Sequence, residues 1–196
     1  MTNGDDMFIK QLELVGFKSF AEKTTVKFSD GMTCIVGPNG CGKSNIGEAI
    51  RWVFGEQSAK KLRGSSMDDF IFNGTNQRKP LNRAEVTITL NNENNILPSE
   101  YNDVTVKRRV FSDGQSEYFI NNQKCRLKDV RNLITDTGIG VSAYSFIEQG
   151  MISEILSSDP TERRRIFEEA AGVMKYRVRK KETMKKLNDT EENVDR

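Results

Sequence analysis

Gly37-Pro38-Asn39-Gly40-Cys41-Gly42-Lys43-Ser44 decides the fold of this 196-residue chain. It fits G-x-x-x-x-G-K-[ST] at every fixed position. The run before it, Met32-Thr33-Cys34-Ile35-Val36, is short and apolar and predicts a buried strand. The run after it predicts a helix from about Gly42 to Phe54, with Ile46, Ala49, Ile50 and Val53 at i, i+3, i+4 and i+7. Gly55 is placed to close that helix. Strand, glycine-rich bend and helix in this order are the setting of a phosphate-binding loop. Glycines leave backbone N–H groups unshielded, so several amides can turn toward one anion. The helix N-terminus adds free amides and partial positive charge. Lys43 supplies a point charge for the β- and γ-phosphates, and Ser44 a hydroxyl for Mg²⁺. Pro38, Asn39, Gly40, Cys41, Gly42, Lys43, Ser44 and Asn45 form the expected cradle. Cys41 fills a variable position as a small tolerated residue, with a redox switch as the alternative. The motif implies a nucleotide with its metal, but not which nucleotide or what work follows.

Upstream, residues 7–16 predict a first strand with Phe8, Leu12 and Leu14 on one face, and Thr24–Phe28 a second. Downstream, Glu85–Leu90 alternates with Val86, Ile88 and Leu90 inward. Val104–Val110 alternates with Val104, Val106 and Val110 inward. Asp113-Gly114 separates that strand from Glu117–Ile120 in a hairpin pattern. Asn91–Asn95 reads as a polar loop, Asn121-Asn122 as a turn, and Arg126–Ile134 as a short helix. The end differs. Asp159 can cap a helix, Pro160 suits its first position and Glu162 completes a capping box. From there to Arg196 no proline occurs and Gly172 is the sole glycine. A heptad frame puts Ala170, Val173, Met184, Leu187 and Val194 on one seam, interrupted by Arg177, Lys180 and Glu191. A lone coiled-coil helix cannot bury such a stripe, so it calls for a partner. The expected organisation is a disordered extension over 1–6, a head lobe over 7–160 and the start of a coiled-coil arm over 161–196.

Composition removes several chemistries. The chain has no histidine, which excludes Ser-His and Cys-His catalytic pairs. Its three cysteines, Cys34, Cys41 and Cys125, include no C-x-x-C pair, which argues against structural zinc and suits a reducing compartment. No run of about 18 apolar residues exists, so no membrane span is predicted. The N-terminus lacks a signal-peptide pattern, and the cytoplasm is the expected compartment. The net charge of +2 conceals a division. Residues 162–187 hold ten basic and four acidic side chains, while residues 188–196 hold one basic and four acidic. A basic segment can meet a phosphate backbone or be a solvated helix face.

Beyond the phosphate loop, further runs resemble the SMC (structural maintenance of chromosomes) family, bacterial members above all. Gly16-Phe17-Lys18-Ser19-Phe20 is similar to the opening of SMC proteins. Gly37–Asn45 resembles their phosphate loop, often with Ser where Cys41 stands. Ala49–Glu56 and Leu62-Arg63-Gly64 resemble the next helix and its arginine-bearing loop. Phe146-Ile147-Glu148-Gln149-Gly150 resembles the Q-loop, and Arg164–Gly172 the passage into the arm. The likeness runs from about Met7 to the end.

The resemblance implies a mixed α/β fold: a P-loop NTPase, the ABC-type ATPase head lobe, with a strand-rich subdomain beside a parallel-strand core and a C-terminal coiled-coil helix. It implies ATP and Mg²⁺ as cofactors. Lys43, Gln149 and Arg63 are the implied catalytic set, and Ser44 and Gln149 the implied metal contacts. Lys18 and Ser19 are implied to touch the nucleotide. Double-stranded DNA would meet Arg126 and Lys128, with Arg163–Arg165 and Lys175–Lys181 at the arm base. Implied partners are the C-terminal half of the same head, a second SMC head in a homodimer, a kleisin and its accessory subunit, with no membrane. The work implied is ATP-driven head engagement for chromosome condensation and segregation in the cytoplasm, at the nucleoid.

The chain departs from a complete ATPase. No L-S-G-G run follows Gln149, and no apolar stretch ending in Asp-Glu is present. This is the pattern of half a site, expected to be inactive alone. Other ABC-type proteins are the alternatives. A transporter ATPase fits poorly with the uninterrupted helix after Pro160. A split-head DNA-repair relative fits the FKSF (Phe17–Phe20) and EEAAG (Glu168–Gly172) stretches less well. A non-enzymatic, nucleotide-gated dimerisation and DNA-binding module is the third reading.

Overall fold

The computed structural model describes residues 8–135 and, further on, positions 180, 183, 184, 187, 188 and 190. The Q-loop run, the helix start at Asp159 and the arm-base arginines lie outside the described residues. The chain divides into two compact units, Met1–Val141 and Ser142–Arg196. In the second, the described positions are helical and exposed. Two apolar seam positions, Met184 and Leu187, are among them, and each is about half exposed. No helix among the described residues is long and apolar enough to cross a membrane.

In the first unit the period-two runs become a six-stranded sheet. The strands are β1 (Ile9–Val15), β2 (Thr24–Lys27), β3 (Arg83–Asn91), β4 (Asp103–Phe111), β5 (Ser116–Ile120) and β6 (Gln123–Cys125). They lie in the order β2-β1-β3-β4-β5-β6, every neighbouring pair antiparallel. β3 and β4 run in register over nine residues, from Arg83↔Phe111 to Asn91↔Asp103. Along both, buried and half-buried positions alternate strictly. A period of two puts one set of side chains on one face and the other set opposite. The loop joining β3 to β4 is organised by Asn92, which is buried although its surroundings are polar. Its amide donates to the carbonyls of Ser99 and Tyr101 and accepts from the Leu97 N–H. Asn121 and Asn122, both at positive φ, turn β5 into β6, the backbone signature of a tight hairpin.

Helix α1 (Lys43–Val53) covers the inner face. Its Ala49, Trp52 and Val53 are buried, as are Val86 and Ile88 of β3 and Val106 of β4. Ile50, expected on the same stripe, is only half-buried. Phe17, Trp52 and Phe70 cluster above the sheet, with ring centroids 5.3–6.5 Å apart. Two short 3-10 turns, Lys60–Leu62 and Met67–Phe70, close the route from α1 back to the sheet. Helix α2 (Leu127–Thr135) adds Val130, Leu133 and Ile134 to the core. At the end of α1, Gly55 has φ +100°, and its N–H bonds the Trp52 carbonyl. A Cβ there would lie 2.6 Å from Leu127 Cδ1, so any larger residue would displace that side chain as well as strain the backbone.

One expectation is corrected. Met32–Val36 forms no strand among the described residues, and the expected parallel core is not assembled there. Met32 is 92% exposed and Val36 88%. A strand exists only where another backbone accepts and donates its ladder bonds. All six strands of the sheet pair with one another, and this run pairs with none of them.

Candidate functional site

The phosphate loop leads from the exposed 32–36 run into α1. Its last glycine, Gly42, takes φ +97° at the N-cap position. The left-handed backbone favours glycine, and a Cβ there would lie 3.0 Å from Ser19 Oγ, which would have to give way by a few tenths of an ångström. Lys43 and Ser44 are then the first two helical residues. No acidic side chain lies in the first turn of α1, so the helix N-terminus keeps its full positive field. The Lys43 ammonium donates to the Gly37 and Pro38 carbonyls at 2.7 and 2.6 Å, spanning the loop from within. Cys41 Sγ lies 3.9 Å from the same ammonium. Ser44 is exposed at the helix start. Amides, one ammonium and one hydroxyl, with no competing acid, form a donor set that fits a triphosphate and its Mg²⁺.

The first loop of the chain braces this bend. Ser19 Oγ accepts from the Asn45 side-chain amide at 2.9 Å, which ties residue 19 to the first turn of α1. Lys18 is held differently. Its ammonium pairs with Glu48, donates to the Leu62 carbonyl at 2.7 Å and lies 5.0 Å from the Phe70 ring centroid. Arg63 Nε faces the other oxygen of Glu48 at 3.5 Å. Ser19 and Asn45 therefore meet at the loop, while Lys18 and Arg63 meet on Glu48. Next to Arg63, the Asp69 carboxylate accepts the N–H groups of Ser65 and Ser66. These two bonds, Ser66 first, hold the carboxyl below the usual aspartate range.

Arg126 and Lys128 are exposed at the start of α2. Between them, Leu127 packs toward Gly55. They belong to the far end of α1, about 16 Å along its axis from the phosphate loop. Gln149 lies outside the described residues. The outer face of the sheet is not a basic patch. There Glu85 pairs with Arg109 and Lys107, and Glu117 with Lys124 and Arg109.

Two residues that position α1 escaped the sequence reading. Glu48 was hidden among small and apolar neighbours in a helix already assigned to the loop. Its signal is its place four residues after Ser44, which sets both on one helix face. Arg131 donates to the Gly55 carbonyl at 2.9 Å and so supports the end of α1. Its sequence neighbourhood carries no sign of that.

The chain is similar to known proteins. The family model for the RecF/RecN/SMC N terminal domain matches residues 8–158. Chromosome partition protein Smc of Bacillus subtilis (strain 168) is 56% identical over 190 residues, 97% of this chain and 16% of its own length. The chain thus spans about one-sixth of the curated relatives it matches. Among solved structures, one chain comes from work on the ATP-driven dimerization and DNA-stimulated activation of SMC ATPases. It is 38% identical with a TM-score of 0.78, and the match covers 83% of this chain and 99% of that one. The Smc head domain with an extended coiled coil, bound to the C-terminal domain of ScpA and derived from Pyrococcus furiosus, is also 38% identical. Its TM-score is 0.80, with 95% of this chain and 47% of that one covered.

Proposed function

The chain belongs to the RecF/RecN/SMC N-terminal domain family, and on that premise we propose that it is the ATP-binding N-terminal half of an SMC ATPase head. The observation that carries this reading is the start of α1. There a left-handed Gly42 delivers the helix amides, Lys43 and Ser44 to one exposed point free of acidic side chains. Residues Asn39–Asn45 would turn backbone N–H groups toward the phosphates, while Pro38, which has none, shapes the entry to the loop. Lys43 exchanges the Gly37 and Pro38 carbonyls for phosphate oxygens. Ser44 would hold Mg²⁺, with Gln149 as the second contact, and Arg63 would serve the phosphates from the loop after α1. Bound Mg²⁺ offsets the negative charge of the triphosphate. Ser19 keeps Asn45 and the helix start in place.

Hydrolysis needs acids that this sequence lacks after Gln149. They belong to a C-terminal half, and the exposed apolar run Met32–Val36 is the edge that such a half would cover. The whole head is the ATPase, and this half binds ATP without turning it over. Engagement of two such heads in a homodimer, driven by ATP, organises and segregates chromosomes at the nucleoid in the cytoplasm. A kleisin is the expected partner, as ScpA is for the relative from P. furiosus, together with the kleisin's accessory subunit. Arg126 and Lys128 are the candidates for sequence-neutral contacts to double-stranded DNA. Relatives at 50–56% identity named as chromosome partition proteins favour this over a transporter ATPase.

The test is titration of Mg-ATP into the head reassembled from both halves, with and without Lys43→Ala. Loss of the ammonium is expected to weaken binding at least about a hundredfold, as for a desolvated charge contact. Undiminished affinity would overturn the assignment.

A further inference from the structure

Lys18 and Arg63 are both non-glycine residues with left-handed backbones, φ +48° and +53°. Both direct their cations at one carboxylate. The Glu48 side chain is only 8% exposed. Its two oxygens are divided, Oε2 to Lys18 and Oε1 to Arg63. The two cations differ in how firmly they are held. Lys18 is 15% exposed and has the Leu62 carbonyl and the Phe70 ring as further partners. Arg63 is 62% exposed, and its 3.5 Å contact is the looser one.

We propose that Glu48 is a positioning residue of the nucleotide site, which stations Arg63 beside the phosphate loop while Lys18 neutralises the buried carboxylate. The proposal rests on the phosphate-loop reading above. Glu48 follows Ser44 by one helical turn, about 6 Å along the axis. An arginine paired there stands one turn behind the hydroxyl assigned to Mg²⁺. A buried carboxylate stripped of its partner is strongly destabilising. With one cation alone, Arg63 could not leave for a phosphate without stranding that charge. With Lys18 fixed on Oε2, Arg63 can move between carboxylate and phosphate while Glu48 stays neutralised. The left-handed backbones carry local strain of the kind found at ligand clamps. The Arg63 N–H bond to the Lys60 carbonyl, at 3.2 Å, and the Lys18 N–H bond to the Phe70 carbonyl, at 2.8 Å, hold those backbones in place.

The experiment uses the full-length protein carrying this chain. Steady-state ATP hydrolysis and Mg-ATP affinity are measured for Glu48→Gln, Arg63→Ala, the double variant and Lys43→Ala. Glu48→Gln is expected to lower kcat about tenfold with affinity changed less than about twofold, because it loses orientation rather than a nucleotide contact. The double variant should be no slower than Arg63→Ala alone. A merely structural Glu48 predicts multiplied losses instead. If Glu48→Gln does not fold, Lys18→Met with Glu48→Gln removes both buried charges together and carries the same comparison with Arg63→Ala. Wild-type kcat in Glu48→Gln, or multiplied losses in the double variant, overturns the clamp. Retained ATP affinity in Lys43→Ala overturns the phosphate-loop reading instead, so the two failures are separable.

Discussion

The Arg108 guanidinium lies 4.5 Å over the Trp52 ring and donates to the Trp52 carbonyl at 2.8 Å. It also donates to the Glu56 carbonyl at 2.8 Å and lies 5.1 Å from the Tyr118 ring. Burial lowers its pKa from the ordinary arginine value, but that value lies so far above neutrality that the group stays charged. β4 thereby reaches into the C-terminal end of α1, where a cation suits the helix dipole and exposed carbonyls need donors. The strand-rich sheet is fastened to the same helix whose other end makes the phosphate loop.

Arg108→Ala should cost about 3 kcal/mol, because it removes two buried charge-assisted bonds, to the Trp52 and Glu56 carbonyls, and the guanidinium packed on the Trp52 ring. Arg108→Lys should recover part of that, since one ammonium cannot match the planar guanidinium against two carbonyls and a ring. Trp52 is the sole tryptophan, so urea unfolding followed by its fluorescence reads this region directly. A loss under about 0.5 kcal/mol for the alanine variant would contradict the role, being no more than a surface substitution gives.

Ser44→Ala tests the metal assignment apart from the phosphate assignment. Nucleotide affinity in EDTA should be unchanged. The gain on adding Mg²⁺ should shrink about tenfold, the worth of one charge-assisted contact. Titrations with and without Mg²⁺ give both numbers. An equal Mg²⁺ gain in the two proteins removes Ser44 from the metal site.

The exposed 32–36 run is expected to be a joining surface. Met32→Asp should leave the circular dichroism of the chain unchanged, because Met32 touches little of the fold. It should abolish co-elution with a C-terminal head half, since burying an unpaired carboxylate is costly. The wild-type chain alone should hydrolyse ATP negligibly and gain activity when that half is added. Vigorous turnover by the chain alone, or undisturbed assembly of the Met32→Asp variant, would count against the split head.

Asp69 makes stability near the Arg63 loop depend on pH. Its pKa is depressed in the folded state by the Ser66 and Ser65 N–H bonds. Its contribution is therefore complete above about pH 3.9, the value of a free aspartate, and is lost as pH falls through the lower folded value. Asp69→Asn should be less stable than wild type at neutral pH, and the gap should close on acidification. Thermal melts of both proteins from pH 7 down to about pH 3 test this, and a gap that widens as pH falls refutes it.

By itself the sequence determined whatever depends on local spacing. The glycine-cornered loop, the 3.6-residue stripe of α1, the Gly55 stop, the β3 and β4 alternation and the Asn121-Asn122 turn all rest on neighbours within a few residues. Each of these is present in the structure, with Ile50 of the α1 stripe only half-buried. Tertiary structure decided what depends on distant partners. β1 is an inner strand only because β2 and β3 flank it. Alternation alone sets Arg108 inward beside Val106 and Val110. The carbonyls that make its burial tolerable come from residues more than fifty positions earlier. Glu48 gains meaning only when the chain folds Lys18 and Arg63 onto it. Met32–Val36 shows the same rule in reverse. Its apolar sequence announces a strand, but backbone ladder bonds require a second strand, and none of the six supplies one. Side-chain periodicity is written along the chain, whereas hydrogen-bond and charge partners are chosen by the fold.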